Sequence, residues 1–273
     1  MKKLTKIFIN SPYVIWSAMF VIVPLFIVAY YAFTDANGAF SFENIIALKD
    51  YSYNFFISIV YSLVATVLTL LIAYPFAYAL SKTPARLQKI QMMLVMLPMW
   101  MNLLIRTYTW MNILDNNGII NKFLSVFGLG PVTFLGTPGA VIFGMVYNYL
   151  PYMILPIYTV MAKIDDSLVE ASRDLGCNGF NVWRRLILPL SMPGVVSGIT
   201  MVFVPSVSTF YISQKLGSGK IMLIGDTIER QIQGNYNYHL GASLSLILMI
   251  MILVSMFIMN RFTDNSGEGG MVV

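Results

Sequence analysis

The chain has 273 residues, 58% apolar and 11% charged, with a formal net charge of +5. A soluble domain carries about 25% charged residues, so a water-soluble enzyme is excluded: this apolar surplus needs hydrocarbon to cover it. The basic residues lie scattered between apolar runs and give no nucleic-acid footprint, and a lone Cys177 and a lone His239 leave neither an internal disulfide nor a Cys/His zinc cluster.

Hydrocarbon about 30 Å thick takes about 20 mainly apolar residues per helix. Six such runs occur, at about 13–33, 56–80, 92–114, 139–161, 192–212 and 240–260. They predict one polytopic membrane protein, with 1–54 as N-terminus, first helix and external loop, 55–260 as the core and 261–273 as a flexible tail. Lys2, Lys3 and Lys6 precede a first run too long for a signal peptide and without an A-x-A exit, which reads as an uncleaved anchor. Counted by loop, eleven Lys and Arg fall on one side and five on the other, Arg106 within a run being the seventeenth. Cytoplasmic loops are rich in both, so both termini are expected in the cytoplasm. Arg106, counted along a straight helix, falls near the outer face and is expected to snorkel there as an anchor.

Prolines interrupt or edge several runs, at Pro24, Pro75, Pro98, Pro151, Pro156 and Pro205. The fifth run also carries Ser197, Gly198, Thr200, Ser206, Ser208 and Thr209. Such groups need a neighbouring helix or water to satisfy them, so this run is expected to face inward, either packing through its small residues or lining a path. The last run is mostly Leu, Ile and Met and suits lipid.

All twelve carboxylates lie outside the six runs. A proton-coupled carrier places acids in the membrane as relays, so the driving energy is expected from outside this chain. Gly217-Ser218-Gly219-Lys220 is not a phosphate loop, because Ile221 replaces the Ser or Thr and Gln214 the first glycine. No catalytic constellation is present, and His239 reads as a headgroup contact.

The 162–188 segment is too long for a simple link and too patterned for a flexible one. Ser167 and Glu170 have capping-box spacing, Asp165 and Asp166 favour the positive end of a helix, and Gly176 supplies a left-handed stop. The expected unit is a short helix over 168–175, a glycine elbow, and a second helix from 180 rising into the fifth run.

Glu170-Ala171-Ser172-Arg173-Asp174-Leu175-Gly176, then nine residues, then Leu186-Ile187-Leu188-Pro189, resembles the E-A-A-x3-G-x9-I-x-L-P loop of bacterial ABC importer permeases, departing at Ser172 and Leu186. Tyr74-Pro75-Phe76-Ala77-Tyr78, Leu97-Pro98-Met99-Trp100, Leu104-Ile105-Arg106-Thr107-Tyr108 and Leu150-Pro151-Tyr152 extend the resemblance to the PotB-type permeases of spermidine/putrescine importers. The resemblance implies an all-α integral membrane protein with the type I ABC importer permease fold, six transmembrane helices and a cytoplasmic coupling helix. It also implies alternating access within the bacterial inner membrane, and no enzyme activity or cofactor in this chain. ATP and Mg would be bound by two copies of a partner ATPase. A second homologous permease, an extracytoplasmic polyamine-binding protein and membrane lipid are the other implied partners, and no nucleic acid.

Residue by residue, the resemblance implies ATPase coupling for Glu170, Ala171, Ser172, Asp174, Leu175 and Gly176. Ammonium groups prefer aromatic faces and carboxylates. For a polyamine path or gate the candidates are therefore Trp100, Tyr108, Trp110, Asp115, Tyr147, Tyr152, Ser206, Phe210 and Tyr211. Asp226 and Glu229, in a short amphipathic stretch, are candidates for docking the binding protein.

Overall fold

A computed structural model describes residues 16–35 and 37–268, the side chains of Asn260 and 262–268 excepted. Lys2, Lys3 and Lys6 of the expected anchor, the start of the first run and the last five residues lie outside the described residues. The elements are helices: α1 Ala18–Ala32, α2 Glu43–Ser81, α3 Ala85–Trp100, α4 Leu103–Leu114, α5 Ile119–Val126, α6 Pro138–Met161, α7 Asp166–Asp174, α8 Gly179–Val207, α9 Tyr211–Leu216, α10 Ile224–Glu229 and α11 Tyr238–Glu268. Four of them, α2, α6, α8 and the 238–259 part of α11, are long and apolar enough to cross a membrane. The α3 and α4–α5 pair gives a fifth if it counts as one span, and α1 is a shorter apolar helix.

The 92–114 run is not one straight helix. Pro98 weakens the last turn of α3, Met101 is extended, and the Asn102 side chain accepts from the Leu104 amide at 2.8 Å, starting a new helix. The two segments meet at 91°. The fifth run also ends early, at Val207, and restarts as α9. The last helix continues through Glu268, into the expected flexible tail; no proline interrupts it, and propagating a helix already nucleated takes one residue per added bond.

Residues Phe56–Asp226 and Ile252–Val273 form one compact unit. Its centre is α6 against α8. Lipid tails are as apolar as leucine, so membrane helices associate through close packing of small residues. Gly194 and Gly198, one turn apart on α8, supply it: a Cβ on Gly194 would lie 2.8 Å from the Pro156 carbonyl oxygen, and one on Gly198 2.6 Å from Met153 Sδ. The polar character of the fifth run is thus used largely for packing. The Ser206 hydroxyl, fully buried, donates to the Val202 carbonyl at 2.7 Å.

Two apolar clusters fasten the ends of this unit. One joins Ala73 and Ala77 of α2, Met153 and Ile157 of α6, Val195 of α8 and Val169 of α7. The other joins Val141 and Met145 of α6 with Leu114, Ile212 and Leu216. Gly144 makes room there, since a Cβ would meet Leu216 Cδ1 at 2.4 Å.

The second unit comprises Met1–Phe55 and Thr227–Met251. Within it, Ser243 Oγ donates to the Ala32 carbonyl at 3.0 Å, Gln231 Nε2 to the Tyr51 hydroxyl at 3.0 Å, and Asn54 Nδ2 to Thr227 Oγ1 at 2.8 Å. His239 lies edge-on to Tyr31, with Nδ1 3.1 Å from the Tyr31 carbonyl oxygen. It is half-buried there.

Candidate functional site

The 162–178 loop is built in layers. Asp165 is the N-cap of α7, its carboxylate accepting from the Ser167 amide at 2.9 Å. The helix therefore starts two residues before the expected 168, and the expected Ser167/Glu170 box is not used: an extended Asp165 puts its short carboxylate on the free amide first. That amide holds the Asp165 carboxyl below its ordinary value. Lys82, at the end of α2, forms an ion pair with Asp166.

At its other end α7 closes on a Schellman pair, Gly176 N–H to the Arg173 carbonyl at 2.8 Å and Cys177 N–H to the Ser172 carbonyl at 3.1 Å. Gly176 has φ +82, and an added Cβ would meet nothing within 4 Å. The requirement for glycine is thus one of backbone conformation.

Val169 is buried in the first cluster and Ser172 is half-buried, its hydroxyl bonded to the Val169 carbonyl at 2.8 Å. Glu170, Ala171, Asp174, Leu175 and Gly176 are exposed, Leu175 at 86%. One face of α7 is fixed to the helices and the other, with an apolar side chain at its tip, is offered outward. Beyond the elbow α8 opens with one α-helical turn, Gly179–Val182, followed by a π-helical turn, Trp183–Ile187. Trp183 stands edge-on to Tyr74 of α2 at 6.1 Å, and the Tyr74 hydroxyl lies 2.9 Å from Ser191 Oγ.

At the opposite end of α8 the expected path residues fall into separate groups. Tyr108 and Tyr211 meet edge to face at 6.1 Å, and Lys215 Nζ lies 5.2 Å and 5.7 Å from their ring centres. Trp110 packs on Phe143 at 4.6 Å and on Tyr147 at 5.1 Å. Tyr152 contacts Tyr149, whose hydroxyl donates to the Pro205 carbonyl at 3.2 Å, in the last turn of α8. Phe210 is exposed beside Tyr211. Asp115 is exposed after α4, accepting from the Asn117 amide. Trp100 stands apart at the α3 bend, in a groove of about 460 Å³ with Met92, Met96 and Tyr158.

Three expectations are corrected. Ser206 is turned into its own helix and lines no open surface. Asp226 is 6% exposed, with Oδ2 accepting from the Leu223 amide at 2.9 Å, and so presents no docking surface; Glu229 is half-buried. Arg106 does not snorkel: it is 7% exposed, and Nε and Nη1 have no hydrogen-bond partner. The bend turns α4 away from the axis of α3, so a rise counted along a straight helix misplaces it.

Several contributors escaped sequence reasoning. Lys82, Tyr74 and Ser191 act across the fold, where no local pattern pairs them. Asp165 was legible, as one of three adjacent capping residues.

A short helix fixed on one face to a bundle of long apolar helices and exposed on the other defines the class: a membrane-spanning helical protein with one face of α7 open to a partner. The chain belongs to the family of binding-protein-dependent transport system inner membrane components, whose model matches residues 72–267. It is 36% identical over 256 residues, 90% of each chain, to the spermidine/putrescine transport system permease protein PotB of Haemophilus influenzae. To PotB of Escherichia coli K12 it is 34% identical over 84% of this chain and 86% of the relative. Its fold matches a chain of a bacterial ABC transporter that imports alginate, with TM-score 0.77 and 18% identity over 97% of this chain and 99% of that one. A chain of the MetNI methionine ABC transporter aligns with TM-score 0.61 and 19% identity, over 82% and 98%. The fold is that of a type I ABC importer permease, and the relatives are transport permeases, not enzymes.

Proposed function

We propose that this chain is one of two homologous permease subunits of an ATP-driven importer for polyamines, spermidine and putrescine, working by alternating access. The observation that carries the substrate is the 36% identity over 90% of both chains to a spermidine/putrescine permease. The α7 elbow supports the mechanism. Leu175 and the exposed face of α7 enter a cleft of an ATPase, two copies of which bind ATP and Mg, and the buried face passes ATPase closure to α2, α6 and α8.

An extracytoplasmic polyamine-binding protein delivers substrate at the opposite end. A structure of the alginate transporter includes a substrate-bound periplasmic protein, which supports such delivery here. The excess of Lys and Arg on the α7 side supports six crossings of the bacterial inner membrane with both termini cytoplasmic.

Mild-detergent purification from the native membrane, with mass spectrometry of the co-purifying proteins, tests the assembly. An ATPase and a second permease are expected; finding neither, under conditions that preserve other membrane complexes, refutes it. Uptake of labelled spermidine should be inhibited by putrescine. Inhibition by an unrelated solute and not by putrescine would refute the substrate.

A further inference from the structure

We propose that Tyr108 and Tyr211 form a receptor for alkylammonium groups, that the Lys215 side chain is its resident occupant, and that a substrate ammonium displaces Lys215 from it. The inference rests on the polyamine reading above. Lys215 follows Tyr211 by four residues on α9, so the two share a helix face, and Tyr108 of α4 closes the other side. The ammonium lies 5.2 Å and 5.7 Å from the two ring centres, within the distance at which an aromatic face attracts a cation. Among the described residues no carboxylate is ion-paired with it; the two rings and the Tyr108 hydroxyl are what surround it. The scaffold is fixed: Ile212 and Leu216, on either side of Lys215, are fully buried against Gly144. The receptor is open, with Tyr108 42% exposed.

The chemistry of occupant and substrate is the same. A lysine side chain is four methylenes ending in a primary ammonium; putrescine is four methylenes with an ammonium at each end, and spermidine contains that unit. Geometry that accepts Lys215 Nζ accepts one end of either. A tethered occupant competes at high effective concentration, which keeps the site weak. Weak binding suits an entry point that must pass its cargo on. Once displaced, the Lys215 ammonium is free to swing into water, and its repulsion discourages a second dication from following the first.

The test is saturation binding of radiolabelled putrescine to the purified permease–ATPase complex in nanodiscs, without binding protein, for wild type, Lys215→Met, Tyr108→Leu/Tyr211→Leu and the triple variant. Lys215→Met should tighten binding about threefold, the factor that an exposed cation–π contact converts to. That gain should vanish when both tyrosines are replaced. No gain in Lys215→Met, or no measurable binding by it, overturns the inference. A gain that persists without the tyrosines also overturns it, because relief of charge repulsion would then suffice. Uptake by wild-type proteoliposomes with the binding protein is measured in parallel. Failure to take up any polyamine refutes the substrate reading itself, whereas uptake with no gain in Lys215→Met refutes only the role of Lys215.

Discussion

Substitution of Gly176 separates two reasons for a glycine at the elbow: a backbone that must be left-handed, or a surface that must let a partner approach. At φ +82 with open space around the missing Cβ, alanine meets no clash within this chain and incurs only the left-handed penalty, about 1–2 kcal/mol. Asparagine visits that region more readily than alanine, so its penalty is smaller although its side chain is larger. Where the elbow exchanges with a straightened form, about 1–2 kcal/mol changes its population about 5- to 30-fold. The expected order of ATP-driven uptake is therefore wild type, Gly176→Asn, Gly176→Ala, Gly176→Val. The assay is uptake by proteoliposomes containing the complete complex, normalised to the complex incorporated, with substrate-stimulated ATP hydrolysis read alongside. Asparagine below alanine, with activity falling as side-chain volume rises, would refute a conformational requirement and point to close approach of the ATPase.

Gly194→Ala should lower the thermal stability of the purified complex by about 1–3 kcal/mol, because the nearest atoms, at 2.8 Å and 3.0 Å, are backbone of α6. Gly198→Ala should cost less, since Met153 Sδ can move aside; equal effects would contradict this packing. Tyr74→Phe removes the contact with Ser191 and should cost about 0.6 kcal/mol, the mean for a hydrogen bond between membrane helices, whereas Tyr74→Ala also loses the ring on Trp183 and should cost several times more in an unfolding titration. The Asp165 carboxyl is held below its ordinary 3.8, so the stability it gives α7 is complete above the unfolded-state pKa and is lost as pH falls through the lower folded-state value. Hydrogen-exchange protection of the Ser167 amide, corrected for intrinsic rates, should then stay level from about pH 8 to pH 5; loss beginning near pH 6 would exclude this cap as its source.

Much of the fold could be read from composition, because a run of about 20 apolar residues has few alternatives once water is excluded as solvent. The elbow was legible too, since a left-handed helix stop is written in one residue, Gly176. The bend at Met101 was not. Pro98 and Asn102 each permit several outcomes, and the packing of α4 against α5, α6 and α9 selects one. Burial of Arg106 follows from that bend and was hidden with it. Asp226 misled for a different reason: an acid at the start of an amphipathic helix serves equally as surface charge or as a cap, and tertiary contacts decide. The Tyr108–Lys215–Tyr211 group joins an i, i+4 pair to a residue more than 100 positions earlier, a pairing with no local signature.

From Gly179 to Val207, α8 is one unbroken helix of 29 residues, about 43 Å at 1.5 Å per residue. The elbow abuts one end of this rod, and Tyr211 begins the next helix just past the other. A lever of that length turns a tilt of about 5° into close to 4 Å of travel at its far end, enough to pull one aromatic ring off another. The π-helical turn at Trp183–Ile187, wider than the helix around it, lies near the elbow end, where a small change of winding is multiplied by nearly the whole arm.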